Sequence, residues 1–334
     1  VSSDGKMFVY ENSNGEIVIQ NTITGQTVGT IITPDKLIAL DPVGNILTYS
    51  NETGSAMLWG AATQKPSGQS FFMEKGIVSA SFSADGKTLA TGNDLGVITL
   101  WDMATGSTIG RLEGHTDSIL DIKFSMDGKI LASSSLDNKI FIWDLATKQA
   151  INQPLESNGI MTLSPNGKIL AYGDVDGVPI ILDIGKFKPI GESLKGHFEI
   201  NNLSFNNDGS ILASSGNDRN KGINDPSRQT VILWDPISGK PLGQPIHNFL
   251  EETSVSAINY FTGVFSLNGQ NFLTYDNIGD VTLWDINIQS WINRSCQIAG
   301  RNFTRIEWDQ YFPGENYRAT CPQWPIEAES ALKP

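Results

Sequence analysis

Two of the chain's three histidines stand where an imidazole could work with a carboxylate. Gly114-His115 is followed by Ser133, Ser135 and Asp137, and Gly196-His197 by Ser214, Ser215 and Asp218. A His beside an Asp invites a catalytic reading, because the carboxylate can orient the ring to accept a proton from a hydroxyl. The same residue types also suit a buried polar network that stiffens a core. His247 stands alone in an insertion, where a solvated side chain is the default. Other reactive signatures are missing: GxxxxGK[ST], HExxH, GxSxG, DFG, HRD and the dinucleotide glycine pattern do not occur. No metal or cofactor is expected.

Which fold must position these residues is set first by composition. The 334 residues include 33 Gly, and 36 acidic residues against 23 basic ones leave a net charge of −13. That balance opposes phosphate backbones and anionic lipid surfaces, so nucleic-acid binding is not expected. No apolar run is long enough to cross a bilayer, so membrane insertion is not expected either. The chain opens VSSDGKM, without an initiator Met or a signal-peptide pattern, and a piece of a longer, cytoplasmic protein is expected.

A turn signature recurs seven times: SSDGK, DPVGN, SADGK, SMDGK, SPNGK, NNDGS and SLNGQ. Fifteen residues after most of these glycines a β-branched run closes, as from Gly86 to Trp101 and from Gly128 to Trp143; only Gly209 to Trp234 is longer, at 25. Each unit reads strand, glycine turn, strand, Asp/Asn turn, strand, and a fourth strand after TG or SG. Four short antiparallel strands cannot bury both faces alone, so each sheet must stack on its neighbours, and a closed ring removes the end faces.

The stretch LEGHTDSILDIKFSMDGKILASSSLDNKIFIWD, residues 112 to 144, resembles a WD40 repeat, with Gly114-His115, Asp137 and Trp143-Asp144 in the family's order. The resemblance extends over roughly residues 1 to 290. It implies an all-β, seven-bladed propeller at 1–299, with units near 1–29, 30–70, 71–111, 112–153, 154–191, 192–243 and 244–299. The chain begins after the first unit's innermost strand, so upstream residues or part of the tail are expected to fill that slot. The resemblance also implies a hydrogen-bonded chain of His115, Asp137, Trp143 and Ser133 or Ser135, repeated by His197, Asp218, Trp234 and Ser214 or Ser215. At this spacing the histidines are structural rather than catalytic. The other five units lack the Gly-His pair and are expected to be held by apolar packing and ladder hydrogen bonds.

In this family the loops joining second to third strands share a face with those joining one unit to the next. The ten extra residues between Gly209 and Trp234 fall in NDRNKGINDPSRQT, a second-to-third loop, and a further surplus falls in HNFLEETS, residues 247 to 254. Both insertions therefore crowd one face, and long loops on a rigid scaffold often carry binding. Arg219, Lys221, Arg228, Phe249, Glu251 and Glu252 are contact candidates there. Asp35, Glu74, Asp117, Glu156 and Glu199 reach the same face from other units, an acidic rim that suits a basic peptide or cationic protein surface.

The tail changes period. Thr304-Arg305-Ile306-Glu307 has the form of a capping box, with Phe303 and Trp308 spaced as a hydrophobic staple. Trp308, Tyr311 and Phe312 share one helical face and Pro313-Gly314 ends it, so a short helix docked on the propeller is expected within 300–334. Cys296 and Cys321 flank this segment and could be reduced or bridged; a bridge would add about 3 kcal/mol. Trp291, Cys296, Ala299-Gly300-Arg301-Asn302, Thr304, Glu307-Trp308, Tyr311, Tyr317 and Thr320-Cys321 resemble the tail following the WD repeats of bacterial STAND-type NTPases. That likeness implies a C-terminal sensor attached to upstream NTPase and effector domains. The expected function is noncatalytic recognition of a protein or peptide. A plain scaffold and an enzyme with a metal or cofactor in the central channel are the alternatives.

Overall fold

In a computed structural model the described residues are 7–12, 14–21, 24–42, 44–50, 52–72, 76–191, 194, 196–218, 229–244, 246–247, 262–265, 271–275 and 281–285, with single positions 297, 301, 302, 304, 319 and 321. The capped helix expected from Thr304 to Phe312 lies outside them except for Thr304.

The described strands form an all-β fold of seven antiparallel sheets in chain order. The first holds β1 (Met7–Glu11), β2 (Ile17–Asn21) and β3 (Thr27–Ile31). The second holds β4 (Lys36–Leu40), β5 (Ile46–Ser50), β6 (Ser55–Gly60) and β7 (Lys65–Phe72). The third holds β8 (Ile77–Phe82), β9 (Thr88–Asn93), β10 (Ile98–Asp102) and β11 (Thr108–Leu112). The fourth comprises β12 (Ile119–Phe124), β13 (Ile130–Ser135), β14 (Lys139–Asp144), β15 (Gln149–Ala150) and β16 (Leu155–Glu156). The fifth comprises β17 (Met161–Leu163), β18 (Ile169–Gly173), β19 (Pro179–Asp183) and β20 (Lys188–Pro189). The sixth comprises β21 (His197–Phe205), β22 (Leu212–Asp218), β23 (Gln229–Asp235), β24 (Lys240–Pro241) and β25 (Ile246–His247). The seventh has β26 (Thr262–Phe265), β27 (Asn271–Tyr275) and β28 (Val281–Asp285). Strands β4, β8, β12, β17, β21 and β26 lie beside one another in succession, with β1 beside β4.

The glycine turns make the first hairpin of the second to sixth sheets. Gly86, Gly128, Gly167 and Gly209 all have φ between +67° and +74°, a region open to glycine at little cost. In the third sheet the Ser83 hydroxyl donates to Asp85 at 2.7 Å and accepts the Thr88 amide at 3.0 Å, while the Gly86 amide donates to the Ser83 carbonyl at 2.9 Å. The Asp that follows the Trp closes another turn: Asp102 accepts the Thr105 amide and hydroxyl, and Asp144 accepts those of Thr147. The turn amide, followed by the turn hydroxyl, holds both carboxyls below their usual range.

The core lies between sheets, and the second strand of each sheet serves two interfaces at once. Successive strand residues face opposite sides. Thus Leu89 packs between the second and third sheets while Ala90 packs between the third and fourth. Leu131 and Ala132 divide in the same way, as do Leu170 and Ala171, and Leu212 and Ala213. A large residue on one side and a small one on the other let the sheets nest, and six such interfaces are formed among the described residues. This explains why the second strands read as continuous apolar and small residues rather than as an apolar/polar alternation.

Two details differ from the sequence reading. The outer strand is split in the fourth and sixth sheets, so that β16 and β25 rejoin β14 and β23 beyond a break. His247, read as a solvated loop residue, has its backbone in β25 opposite Thr230. The ladder register alone decides this, since an insertion lengthens the gap before β25 without preventing it from pairing again.

Close approach of backbones fixes Gly216. A Cβ there would lie 2.3 Å from the Glu199 carbonyl oxygen and 2.9 Å from Ile200 Cα, beside a bulge in β21. Gly216→Ala is expected to cost about 1–3 kcal/mol by forcing β21 from β22. Urea unfolding checks this; an unchanged midpoint would show that the two strands separate freely.

Candidate functional site

In the fourth sheet the polar residues singled out from sequence form one connected chain. The His115 Nδ1–H donates to Asp137 at 3.0 and 3.1 Å, and the Ser133 hydroxyl lies 2.9 Å from Nε2. Trp143 Nε1–H donates to the same hydroxyl oxygen at 2.8 Å. Indole can only donate, so Ser133 accepts there and its single proton goes to Nε2, which places the ring proton on Nδ1. Asp137 also accepts the Thr116 and Lys139 amides at 3.0 Å each. Burial pushes the Asp137 carboxyl up, but the Thr116 amide and His115 outweigh it and hold the group below its usual range. Burial lowers His115 in spite of Asp137, so the ring stays neutral at pH 7.

These distances are those of a nucleophile, base and orienting acid, yet the trio is sealed. The His115 side chain is 0% exposed, Ser133 is fully buried, and the ring stands edge-on against Phe141, which stacks on Trp143. A substrate carbon has no route to the hydroxyl, which is fully buried and already accepts from the indole. The residue before His115 must be small, because a Cβ on Gly114 would come within 3.1 Å of both Phe141 and Trp143.

The sixth sheet repeats the pattern with a change. The Ser214 hydroxyl lies 2.9 Å from His197 Nε2 and accepts from Trp234 Nε1–H at 2.7 Å, while Thr230 Oγ1 stands 3.5 Å from Nδ1. Asp218 faces His197 in the ladder and acts on it through charge. Burial dominates, and His197 falls to about 4. Between the serines left open by the sequence, the ladder selects Ser133 and Ser214; Ser135 instead donates to the Asp117 carbonyl at 2.8 Å.

The reading that all other units rely on apolar packing and ladders needs correction. Trp59 donates to Thr48 at 3.0 Å and Trp101 to Thr91 at 2.8 Å, so the second and third sheets keep the indole half of the network without the histidine. In the first sheet Gln20 Nε2 donates to the Tyr10 hydroxyl at 3.3 Å. The sequence signal was present: each Trp follows a Thr by ten or eleven residues.

From the third sheet to the entry of the sixth, the loops at one end of the sheets form a seam. The Asp94 amide donates to the Gly76 carbonyl at 2.9 Å, and the turn at Gly96 abuts the carbonyls of His115 and Asp117. Leu136 donates to Ser118 at 2.9 Å, Ser157 to Asn138 at 2.9 Å, and Asn158 to Gly173 and Asp174 at 3.2 Å each. Ile200 then donates to Gly177 at 3.3 Å. Each second-to-third turn is thereby bonded to the segment leading into its own sheet or the next, from residue 76 to residue 200.

Asp117, Glu156 and Glu199 are exposed along this seam and Asp35 is half-buried. Arg219, Lys221, Arg228, Phe249, Glu251, Glu252 and Glu74 lie outside the described residues. Their insertions leave from the same end of the sixth sheet, where Asn217 pairs with Gln229 and His247 with Thr230. The sequence reading missed the apolar side chains on the seam: Leu95 is 73% exposed, Val175 59% and Leu136 55%. Each sits beside an Asp in a short turn, and that pairing was the available signal. Cys321 is buried and disulfide-bonded, and its amide donates to Asn302 Oδ1 at 2.7 Å. The sequence's other cysteine, Cys296, lies outside the described residues. No helix among the described residues is long and apolar enough to cross a membrane.

The family model described as WD domain, G-beta repeat matches residues 67–102, 106–144 and 187–220. No curated protein matches the chain. The first two matches each begin in the region of an outer strand, β7 or β11, and end with the third strand of the following sheet, β10 or β14. The sequence repeat is thus offset from the sheet by one strand, so each repeat ties two neighbouring sheets together covalently. Three stretches of this chain match the WD40 repeat, and with the antiparallel sheets around them they support a WD40 repeat domain, a kind of domain that generally mediates protein–protein interaction.

Proposed function

We propose that the chain is a seven-bladed, ring-closed WD40 propeller that acts as a noncatalytic recognition module, binding a protein or peptide on the face of the loop seam. The observation that carries this reading is the seam itself: a hydrogen-bonded run of loops with exposed apolar and acidic side chains, while the His115 and His197 networks are sealed inside their sheets. In this proposal residues 1–299 form the propeller and 300–334 a docked tail, clasped by a Cys296–Cys321 bridge. The resemblance of that tail to those of STAND-type NTPases supports a sensor role beside upstream domains of a bacterial signalling protein. A bridge stable in the cell would instead favour an oxidising compartment over the cytoplasm.

The test is a random peptide display library panned against the chain, followed by anisotropy titrations of the enriched peptides. Deleting residues 219–228 and 247–254 is expected to weaken at least part of the enriched set about tenfold, or 1.4 kcal/mol. Equal affinity of every enriched peptide for the trimmed and intact chains would remove the insertions from the binding face.

A further inference from the structure

We propose that the third to fifth sheets present an apolar arc with an acidic rim, built to take a segment that alternates apolar and basic side chains. This rests on the reading of the seam as a binding face, but assigns the contact to different residues from the two insertions.

Five large apolar side chains stand out of the protein along this part of the seam. Leu95, Leu136 and Val175 occupy the second-to-third turns of three consecutive sheets. Val78 and Leu120 are 49% and 44% exposed in the first strands of the third and fourth. Both occupy β-bulges, since the ladder shifts between Ile77 and Ser79 and again between Ile119 and Asp121. Bulges re-aim side chains at the cost of ladder regularity. Here the result is a valine and a leucine turned outwards while their neighbours Ile77 and Ile119 remain buried. Leu120 also reaches across to the next sheet, where a Cβ on Gly159 would meet its Cδ1 at 2.6 Å. Single exposed apolar residues are ordinary, but five along one seam, where the turns bond to or abut the segments of the neighbouring sheet, form an arc.

The charges around the arc choose its occupant. Asp94, Asp117, Glu156, Asp176 and Glu199 are exposed and Asp174 is half-buried. The basic groups nearby are Lys139, half-buried in β14 opposite Glu156, and Lys123, ion-paired with Asp121 at 3.0 Å. A basic, apolar strand-like segment would cover the leucines and place its cations against these carboxylates. An acidic segment would meet like charge, a device that rejects wrong partners as effectively as contacts select the right one.

Three labelled synthetic peptides test this on the intact chain by fluorescence anisotropy: one alternating Leu and Lys, one Leu and Glu, and one Ser and Lys. The Leu/Lys peptide is expected to bind at least about tenfold more tightly than either control, and less tightly as salt rises. The combined variant Leu95→Ser, Leu136→Ser, Val175→Ser is expected to lose that preference, and Asp94→Asn with Asp176→Asn its salt dependence. All five residues are surface positions, and circular dichroism melts confirm folding. The chain trimmed of residues 219–228 and 247–254 should still bind the Leu/Lys peptide. Binding lost on trimming but kept by the serine variant would overturn the arc while leaving the recognition reading intact. Equal affinity for all three peptides would overturn it as well.

Discussion

Replacing Ser133 by alanine is expected to destabilise the chain by about 2–4 kcal/mol, more than a single buried hydrogen bond is worth. The hydroxyl serves two partners that have no substitute: it accepts from Trp143 Nε1–H and donates to His115 Nε2, all within a fully buried pocket. Deleting it strands a donor and an acceptor in the core, and each orphaned group carries its own desolvation cost. Thr91→Val in the third sheet is the internal comparison. There only the Trp101 indole is left unpaired, because no histidine joins that network, and the expected loss is about 1–2 kcal/mol. Urea unfolding of both variants against the parent chain measures the difference. Equal losses would mean that the His115 bond adds nothing to the fourth sheet.

That comparison also shows where the sequence was legible. The turn glycines and the fixed distance to the Trp could be read because backbone geometry demands them: a residue at φ near +70° calls for Gly, and a strand of set length separates it from the closing run. The identity of the bonding serine could not be read. Ser133 and Ser135 are two apart in one strand and so lie on the same face, and only the pairing of Ser133 with Phe141 in the ladder decides which of them lies beneath the indole. Likewise Leu95, Leu136 and Val175 read as ordinary turn residues in sequence. Their significance comes from the backbone hydrogen bonds that tie each turn to the segment leading into its own sheet or the next, contacts between residues 15 to 23 positions apart. The histidines had two chemical readings; the WD40-like spacing favoured the structural one, and both rings lie buried.

Lowering the pH from about 6.5 towards 4 is expected to remove about 3 kcal/mol of stability through His197 alone. The imidazole titrates near 6.5 in an unfolded chain and near 4 when folded, because burial in the sixth sheet disfavours the charged ring. Between those values the unfolded state binds the extra proton, so stability rises with pH through this window and is fully present above 6.5. His115 shifts in the same direction and adds to the slope, though Asp137 at its Nδ1 opposes the shift. The turn carboxyls act elsewhere. Asp85, Asp127 and Asp235 are each held below 3.8 first by a serine hydroxyl, so their contributions are lost only as pH falls below that value. The two windows therefore separate histidine from carboxylate. Urea midpoints across the upper window should fall steeply for the parent chain and more gently for His197→Asn, which keeps a polar side chain beside Ser214 but cannot titrate. Parallel curves for the two proteins would show that His197 is not buried neutral, and with it would go the view that the sixth sheet is locked by an uncharged imidazole between Ser214 and Thr230.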